Sequence, residues 1–313
     1  MRIITTGSRY VDIDAYGGCV AYAELLNLQG VPAVAASTVE LNGSVPPVVR
    51  AWQAPFEFSY RPVAGDTFAV LDVSEPDFFD KMITLDHIEE VIDHHPGYET
   101  YWQERLGDKA DIELAGAVCT MIYERWAGAG LITQISEVSA RLLMCGILDN
   151  TLNFGAQITT NRDHTAYAEL AKRASLPDDW SAQYFEACEA GVLSDLASAI
   201  RDDSKLVTFA GQAQAIGVGQ LIIWDARTFV SNNKQTIEKV MPSIASPWFM
   251  SIPSISEGKN YLLCPDAGLR TWLSELLDAT FDGDVGVTKR LWLRKEIIKA
   301  AIDKEAGDVS RKR

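Results

Sequence analysis

Short apolar runs, many of them β-branched, alternate with amphipathic segments through the first half of the chain. That pattern predicts a parallel sheet covered by helices. Strands are expected at residues 3–6, 33–36, 67–71 (TFAVL) and 90–92 (EVI). Helices are expected at 16–29, 116–127, 136–144 and 163–174, the first stopped by Gly30. The stretch CGILDNTLNF reads as an interruption between helices, with its acid at the end of a strand. Each predicted strand runs into polar or acidic residues, and in doubly wound sheets ligands bind beyond the carboxyl ends of the strands. A turn-rich patch near 177–180 precedes a second unit. There the pattern predicts a helix over 193–201, strands over 206–209 and 215–223, and a basic amphipathic helix over 288–304. The division falls near 186–192, giving domains 1–188 and 193–313, with the terminal SRKR a solvated tail.

A chain of 313 residues suits two cores. At 47% hydrophobic and 23% charged residues the composition is that of an ordinary globular protein, and no apolar run is long enough to span a bilayer. Acids at Asp12 and Asp14 sit where a signal peptide would need an apolar stretch, so a cytoplasmic protein is expected. Five widely spaced cysteines without a C-x-x-C pair read as buried free thiols. A net charge of −15 argues against non-specific binding to nucleic acid or anionic membranes.

Four segments place carboxylate or imidazole just after an apolar run: VDIDA (Asp12, Asp14), VLDVS (Asp72), VIDHHPG (Asp93, His94, His95) and GILDNT (Asp149, Asn150). A single acid at such a place is ordinarily a loop residue or helix cap. Four together form a set of hard oxygen ligands with a minority of imidazoles, which suits Mg²⁺ or Mn²⁺ at a phosphoryl centre. Two of only four histidines stand side by side after an Asp. Neighbouring side chains diverge, which lets His94 face a metal and His95 a substrate. His87 and His164 read as surface or packing residues, and GVGQ, lacking Walker spacing, as strand and turn.

The order D-x-D-A, strand-Asp, D-H-H and G-I-L-acid-T resembles the DHH phosphoesterase superfamily. The second half resembles, less closely, the smaller associated domain of manganese-dependent (family II) inorganic pyrophosphatases, yeast-type exopolyphosphatases and prune-like proteins. Its points of contact are DDSKLVTF, QAIGVGQLIIWD and LRKEI. The resemblance implies an α/β fold: a parallel-sheet DHH domain with helices on both faces, a smaller α/β (α+β) C-terminal domain, and an active site in the interdomain cleft. It also implies two divalent ions, Mn²⁺ or Mg²⁺. Asp12 would hold one, Asp14 and His94 the other, and Asp72 would bridge them. Asp93 would orient His94 through its other ring nitrogen. A bridging water would attack a phosphoanhydride of pyrophosphate or short polyphosphate, with Asp72, Asp93 and His95 as the catalytic set. His95, Lys205, Arg294 and Lys295 would contact phosphate. No GGGH-like segment of the nucleolytic relatives is present, so nucleic acid is not the expected substrate.

Two departures narrow the resemblance. Ser8 stands four residues before Asp12, where family II pyrophosphatases carry a histidine. Asn150 aligns with the metal-binding acid of the last motif, leaving Asp149 one position early. Whether Asp149 or Asn150 reaches the metal stays open, because consecutive strand residues face opposite ways. A small-nucleotide phosphodiesterase, or a non-catalytic DHH protein binding a phosphorylated ligand or partner, stays open as well. So does a homodimer.

Overall fold

The computed structural model describes residues 1–209 and 214–311, with side chains through Lys304. The chain separates into two compact units, Met1–Tyr184 and Phe185–Arg313.

The first unit begins with β1 (Arg2–Thr5), α1 (Ile13–Leu28), β2 (Ala33–Ser37), α2 (Pro47–Arg50), β3 (Glu57–Phe58) and β4 (Thr67–Leu71). It continues through β5 (Ile88–Asp93), α3 (Glu99–Leu106), β6 (Ala110–Ile112), α4 (Val118–Gly128), α5 (Glu137–Asn150) and α6 (Asn161–Ala174). The six strands form one sheet in the order β3-β2-β1-β4-β5-β6, every neighbour pair parallel. One face buries Ile3, Phe68, Val70 and Val91 against Trp102 of α3. The indole N–H of Trp102 donates to the Ser74 carbonyl at 2.6 Å, so a large apolar surface is buried with no polar atom stranded.

The opposite face carries α1, which is buried on nearly every side because it lies between the sheet and the helices α4 and α5. Glycines make that position available. A Cβ on Gly17 would lie 2.8 Å from the Leu142 carbonyl oxygen of α5, and one on Gly18 would press on Val118 and Leu71. Helices thus cover both faces of a parallel sheet, as the hydrophobic pattern predicted.

α7 (Trp180–Ser194) contains the division between the units. The second unit holds α8 (Leu196–Asp202), β7 (Ser204–Val207), β8 (Ile216–Gln220), α9 (Ala226–Val240), β9 (Trp248–Ser254) and β10 (Lys259–Leu263). It ends with α10 (Ala267–Leu277), β11 (Thr280–Asp282), β12 (Val285–Val287) and α11 (Arg294–Arg311). Its sheet runs β11-β12-β10-β9-β8-β7, with β8 and β9 parallel and the other pairs antiparallel. Alternation along β9 sends Met250 and Ile252 to the α8/α9 face and Phe249 to the α10/α11 face.

Three differences from the expected elements have local causes. α1 starts at Ile13 rather than 16, because the Asp12 side chain caps it by accepting from Ala15 N at 3.0 Å. The last helix starts at Arg294 rather than 288. Asn260 holds the preceding segment on β10, its amide bonding both N and O of Trp292 while its carbonyl accepts from Thr288 N. The third is larger: the helix expected to end at 144 continues to Asn150, so CGILDN is helical and no strand carries Asp149. Of the predicted tail, residues 312–313 lie outside the described residues.

Candidate metal and phosphate site

The first unit brings Asp12, Asp14, Asp72, Asp93, His94, His95, Asp149 and Asn150 to the carboxyl end of its sheet. Asp72 follows β4 with φ +62, the left-handed region that aspartate tolerates better than most side chains, and its N–H still pairs with Ile92 O at 2.9 Å. Backbone strain of this kind clusters at functional sites. Its Oδ1 lies 3.2 Å from His94 Nε2 and 3.8 Å from His95 Nδ1. Asp72, His94 and His95 form the one group of metal-competent side chains found within mutual reach among the described residues.

His94 is buried, its side chain 1% exposed, and its Nδ1 donates to the Ala115 carbonyl at 3.0 Å. That bond assigns the proton to Nδ1 and turns the Nε2 lone pair toward the acids. Asp93 was expected to do this orienting. Instead its Oδ1 accepts from His95, from the backbone N at 3.1 Å and from Nδ1 at 2.8 Å. The side chain at residue 93 turns back on its own strand end, leaving the loop carbonyl of Ala115 to hold His94. With its Nδ1 so engaged, His95 offers Nε2 outward from a half-exposed ring. Burial disfavours the His95 cation, but the bond to Asp93 and the charge of Asp72 outweigh it, and its pKa is raised.

Asp14 is fully buried and serves α4 from a distance. The N-cap position of α4 is Ala117, which has no capping side chain; Asp14 Oδ2 accepts from Val118 N at 2.8 Å and Oδ1 from Cys119 N at 2.9 Å. Helix-end amides and the helix dipole thus stabilise this carboxylate. Asn150 Nδ2 donates to Asp14 Oδ2. Asp149 accepts from the Tyr184 hydroxyl at 3.0 Å, and that hydroxyl also lies 2.8 Å from Ser44 O. Because CGILDN is helical, residues 149 and 150 sit about 100° apart rather than on opposite faces, and both point toward the acids. Burial, reinforced by the charges of Asp12 and Asp14, pushes the Asp149 carboxyl up to about 7. Burial likewise raises Asp12, and raises Asp72 well above the carboxylate range.

Buried acids without counter-charge are costly, and here they surround polar atoms with no hydrogen-bond partner: Asp72 Oδ1, Asp93 Oδ2 and His94 Nε2. A divalent cation satisfies such a set, supplying charge to the carboxylates and accepting the imidazole lone pair. The donor set fits Mn²⁺ or Mg²⁺. Ser8, half-buried with its N–H on Phe78 O, brings no imidazole.

α5 reaches this place through Gly146, where a Cβ would lie 2.5 Å from Cys119 Sγ and 2.9 Å from Asp14 Oδ1. Gly146→Ala should therefore lower stability by about 1–3 kcal/mol through overpacking, despite alanine's better helix propensity. Denaturant melts check this, and a gain in stability would refute the close approach.

In the second unit, Arg294 binds Asp203 twice, Nη2 to Oδ1 and Nη1 to the carbonyl oxygen, each at 2.5 Å. Lys205 on β7 is exposed and within electrostatic range of the same Asp203, and Lys295 is exposed beside Arg294. Of the remaining histidines, His87 is exposed, and His164 stacks on Phe154 with ring centroids 4.5 Å apart. GVGQ lies within β8, buried, with no sign of a phosphate loop. Four cysteines are buried and Cys188 is half-buried, all free thiols. The pattern of the sequence did not single out Ala115, the amides of Val118 and Cys119, or Tyr184. An uncapped helix start after Gly116 was the only available hint of a distant acid.

No family model matches the chain. A protein of Deinococcus radiodurans named "Probable manganese-dependent inorganic pyrophosphatase" is 27% identical over 310 residues, covering 92% of this chain and 93% of the relative. One of the same name from Bacillus licheniformis is 27% identical over 182 residues, 57% of each chain. Among solved structures, that of a candidate family II inorganic pyrophosphatase of Methanococcus jannaschii superposes with TM-score 0.65 at 19% identity, covering 96% of this chain and 98% of that one. An exopolyphosphatase-related protein from Bacteroides fragilis does so with TM-score 0.52 at 12% identity, covering 97% and 92%. The structural likenesses show the fold. With the D-x-D and D-H-H motifs and the Deinococcus match across nine-tenths of the chain, the protein resembles the DHH-type, family II inorganic pyrophosphatases.

Proposed function

We propose that the protein is a divalent-metal-dependent hydrolase of phosphoanhydride bonds, with inorganic pyrophosphate or short polyphosphate as substrate. The observation that carries this reading is the meeting of Asp12, Asp14, Asp72 and His94 at the carboxyl end of a parallel sheet, with Asp72 Oδ1 and His94 Nε2 buried and unpartnered. The names of its relatives point the same way.

Asp12, Asp14, Asp72 and His94 would hold the metal, His94 Nε2 lying 3.2 Å from Asp72 Oδ1 and 3.7 Å from Asp14 Oδ2. When bound, divalent cations polarise phosphoryl oxygens and lower the pKa of water. The chain's own groups supply the rest. Asp93 fixes the His95 ring so that Nε2–H can donate to a phosphate oxygen, and the raised His95 pKa favours the donating form. The Ala115 carbonyl keeps His94 in the tautomer whose lone pair faces the acids. Lys205, Arg294 and Lys295 would bind the remaining phosphate charge. For Arg294 this requires sharing its guanidinium with Asp203.

Phosphate release from pyrophosphate, tripolyphosphate and nucleotides, each with Mn²⁺ or Mg²⁺, tests the proposal. Pyrophosphate or tripolyphosphate should be cleaved and activity should vanish with chelator. Lys205→Ala should raise KM about 10- to 100-fold, the worth of a charge-assisted contact. Cleavage of nucleotides alone, followed by chromatography of the products, would select a small-nucleotide phosphodiesterase or phosphatase, and cleavage of none of these would select a binding protein.

A further inference from the structure

Arg294 is held at both ends by residues of its own unit. It is the first residue of α11, where the leading backbone N–H groups have no partner within the helix. Glu296 Oε2 accepts from Leu293 N at 2.7 Å, and Gln220 Oε1 accepts from Arg294 N at 2.6 Å. Gln220 ends β8 and stands 74 positions away in the chain, so the sheet itself supplies a cap to this helix.

Asp203, the residue that closes α8, holds the other end. Its carbonyl oxygen accepts from Arg294 Nη1 and its Oδ1 from Nη2, each at 2.5 Å. The same carbonyl accepts from Gln220 N at 3.1 Å. Asp203, Gln220 and Arg294 thus close a ring of hydrogen bonds across three elements, which fixes the backbone and the guanidinium of Arg294 together. Gln220 is 8% exposed and the Arg294 side chain 12%, so water competes little for these bonds. A guanidinium carries five N–H groups in one rigid plane. On Arg294 two serve Asp203, and among the described residues three are left for a ligand.

We propose that Asp203 and Gln220 are positioning residues for phosphate recognition: they set Arg294 in its binding pose before substrate arrives. The unliganded protein has then already given up the rotamer freedom of a long side chain. An arginine left mobile would lose that freedom on binding, weakening affinity by about 3- to 10-fold. The inference rests on the reading of Arg294 as a phosphate contact.

Imidodiphosphate, whose P–N–P bridge resists hydrolysis, measures affinity apart from turnover. It would be titrated calorimetrically into the full-length protein with saturating Mn²⁺, and KM and kcat for pyrophosphate measured alongside. Asp203→Ala and Gln220→Met should each weaken imidodiphosphate binding and raise KM by about 3- to 10-fold, with kcat within about twofold of wild type. Arg294→Ala should weaken binding by about 10- to 100-fold, and adding either substitution to it should change nothing further. A residue that merely supports the fold would act whether or not Arg294 is present. Either single variant, folded by circular dichroism but binding imidodiphosphate as wild type does, would overturn the proposal, and so would full additivity in the double variants. Should Gln220→Met not fold, Asp203→Ala, at a side chain 43% exposed, decides. Imidodiphosphate bound no better by wild type than by Arg294→Ala would instead remove the reading of Arg294 as a phosphate contact, and the inference with it.

Discussion

Replacing Asp72 by asparagine is expected to lower phosphate release by on the order of 10³ or more while the protein stays folded. Substitutions one layer outside a metal site already cost about 10–100-fold, and Asp72 is proposed above to hold the ion itself. Asparagine is the informative replacement. The residue sits at φ +62, which asparagine adopts about as readily as aspartate, and it keeps the shape of the side chain. What is lost is the negative charge 3.2 Å from His94 Nε2. Initial rates with saturating Mn²⁺, alongside a thermal melt, separate this from unfolding. A variant within tenfold of wild type would show that Asp72 is not at the reacting centre.

Saturating Mn²⁺ should raise the melting temperature of chelator-treated protein by about 5–10 °C. A ligand at 100 times its dissociation constant contributes about 2.7 kcal/mol. Each kcal/mol is worth about 2–4 °C in units of this size. The metal-free protein should also depend on pH in a particular direction. Burial raises the Asp149 carboxyl to about 7, and raises Asp12 and Asp72. A raised carboxyl means that the folded state binds protons more tightly than the unfolded one, so stability falls as pH rises from the unfolded value near 3.8 through the folded value. The raised pKa of His95 acts with the same sign, its contribution being lost as pH climbs through the folded value. Chelated protein should therefore melt lower at pH 8 than at pH 6, and bound Mn²⁺, which favours the deprotonated carboxylates, should flatten the difference. A metal-free protein more stable at pH 8 would contradict the buried, uncompensated acids. The experiment is a pair of melting curves at each pH, with and without Mn²⁺.

Much of the first unit was legible in the chain because its signals are local. A five-residue apolar run such as TFAVL, too short for a helix and bounded by polar residues, reads as a strand, and it was found to the residue as β4. Asp12, Asp72 and His94 were legible for a related reason: acids and imidazoles that directly follow apolar runs have few places to go in a parallel sheet except its carboxyl edge. The motif order then carried the resemblance that the similarity across the chain bears out. Less was readable in the second unit, where β9 to β12 went unpredicted. The pairings of β8 with β9 and of β10 with β12 each span an intervening helix, and β11 and β12 are only three residues each.

By itself, then, the sequence determined the α/β class of the first unit, the set of acids and histidines that meet, and the two departures, Ser8 and Asn150. Tertiary structure decided what each of those groups does with its electrons. Asp14 caps a helix that begins 104 positions later in the chain, and His94 takes its tautomer from a loop carbonyl 21 positions away. Asp93 serves His95 and not His94. Residues 149 and 150 share one side of a helix, because Gly146 lets α5 lie against α1 where any larger residue would meet Asp14. Hydrogen bonds and close packing act over about 3–4 Å in space, whatever the separation along the chain, and only the folded arrangement supplies those distances.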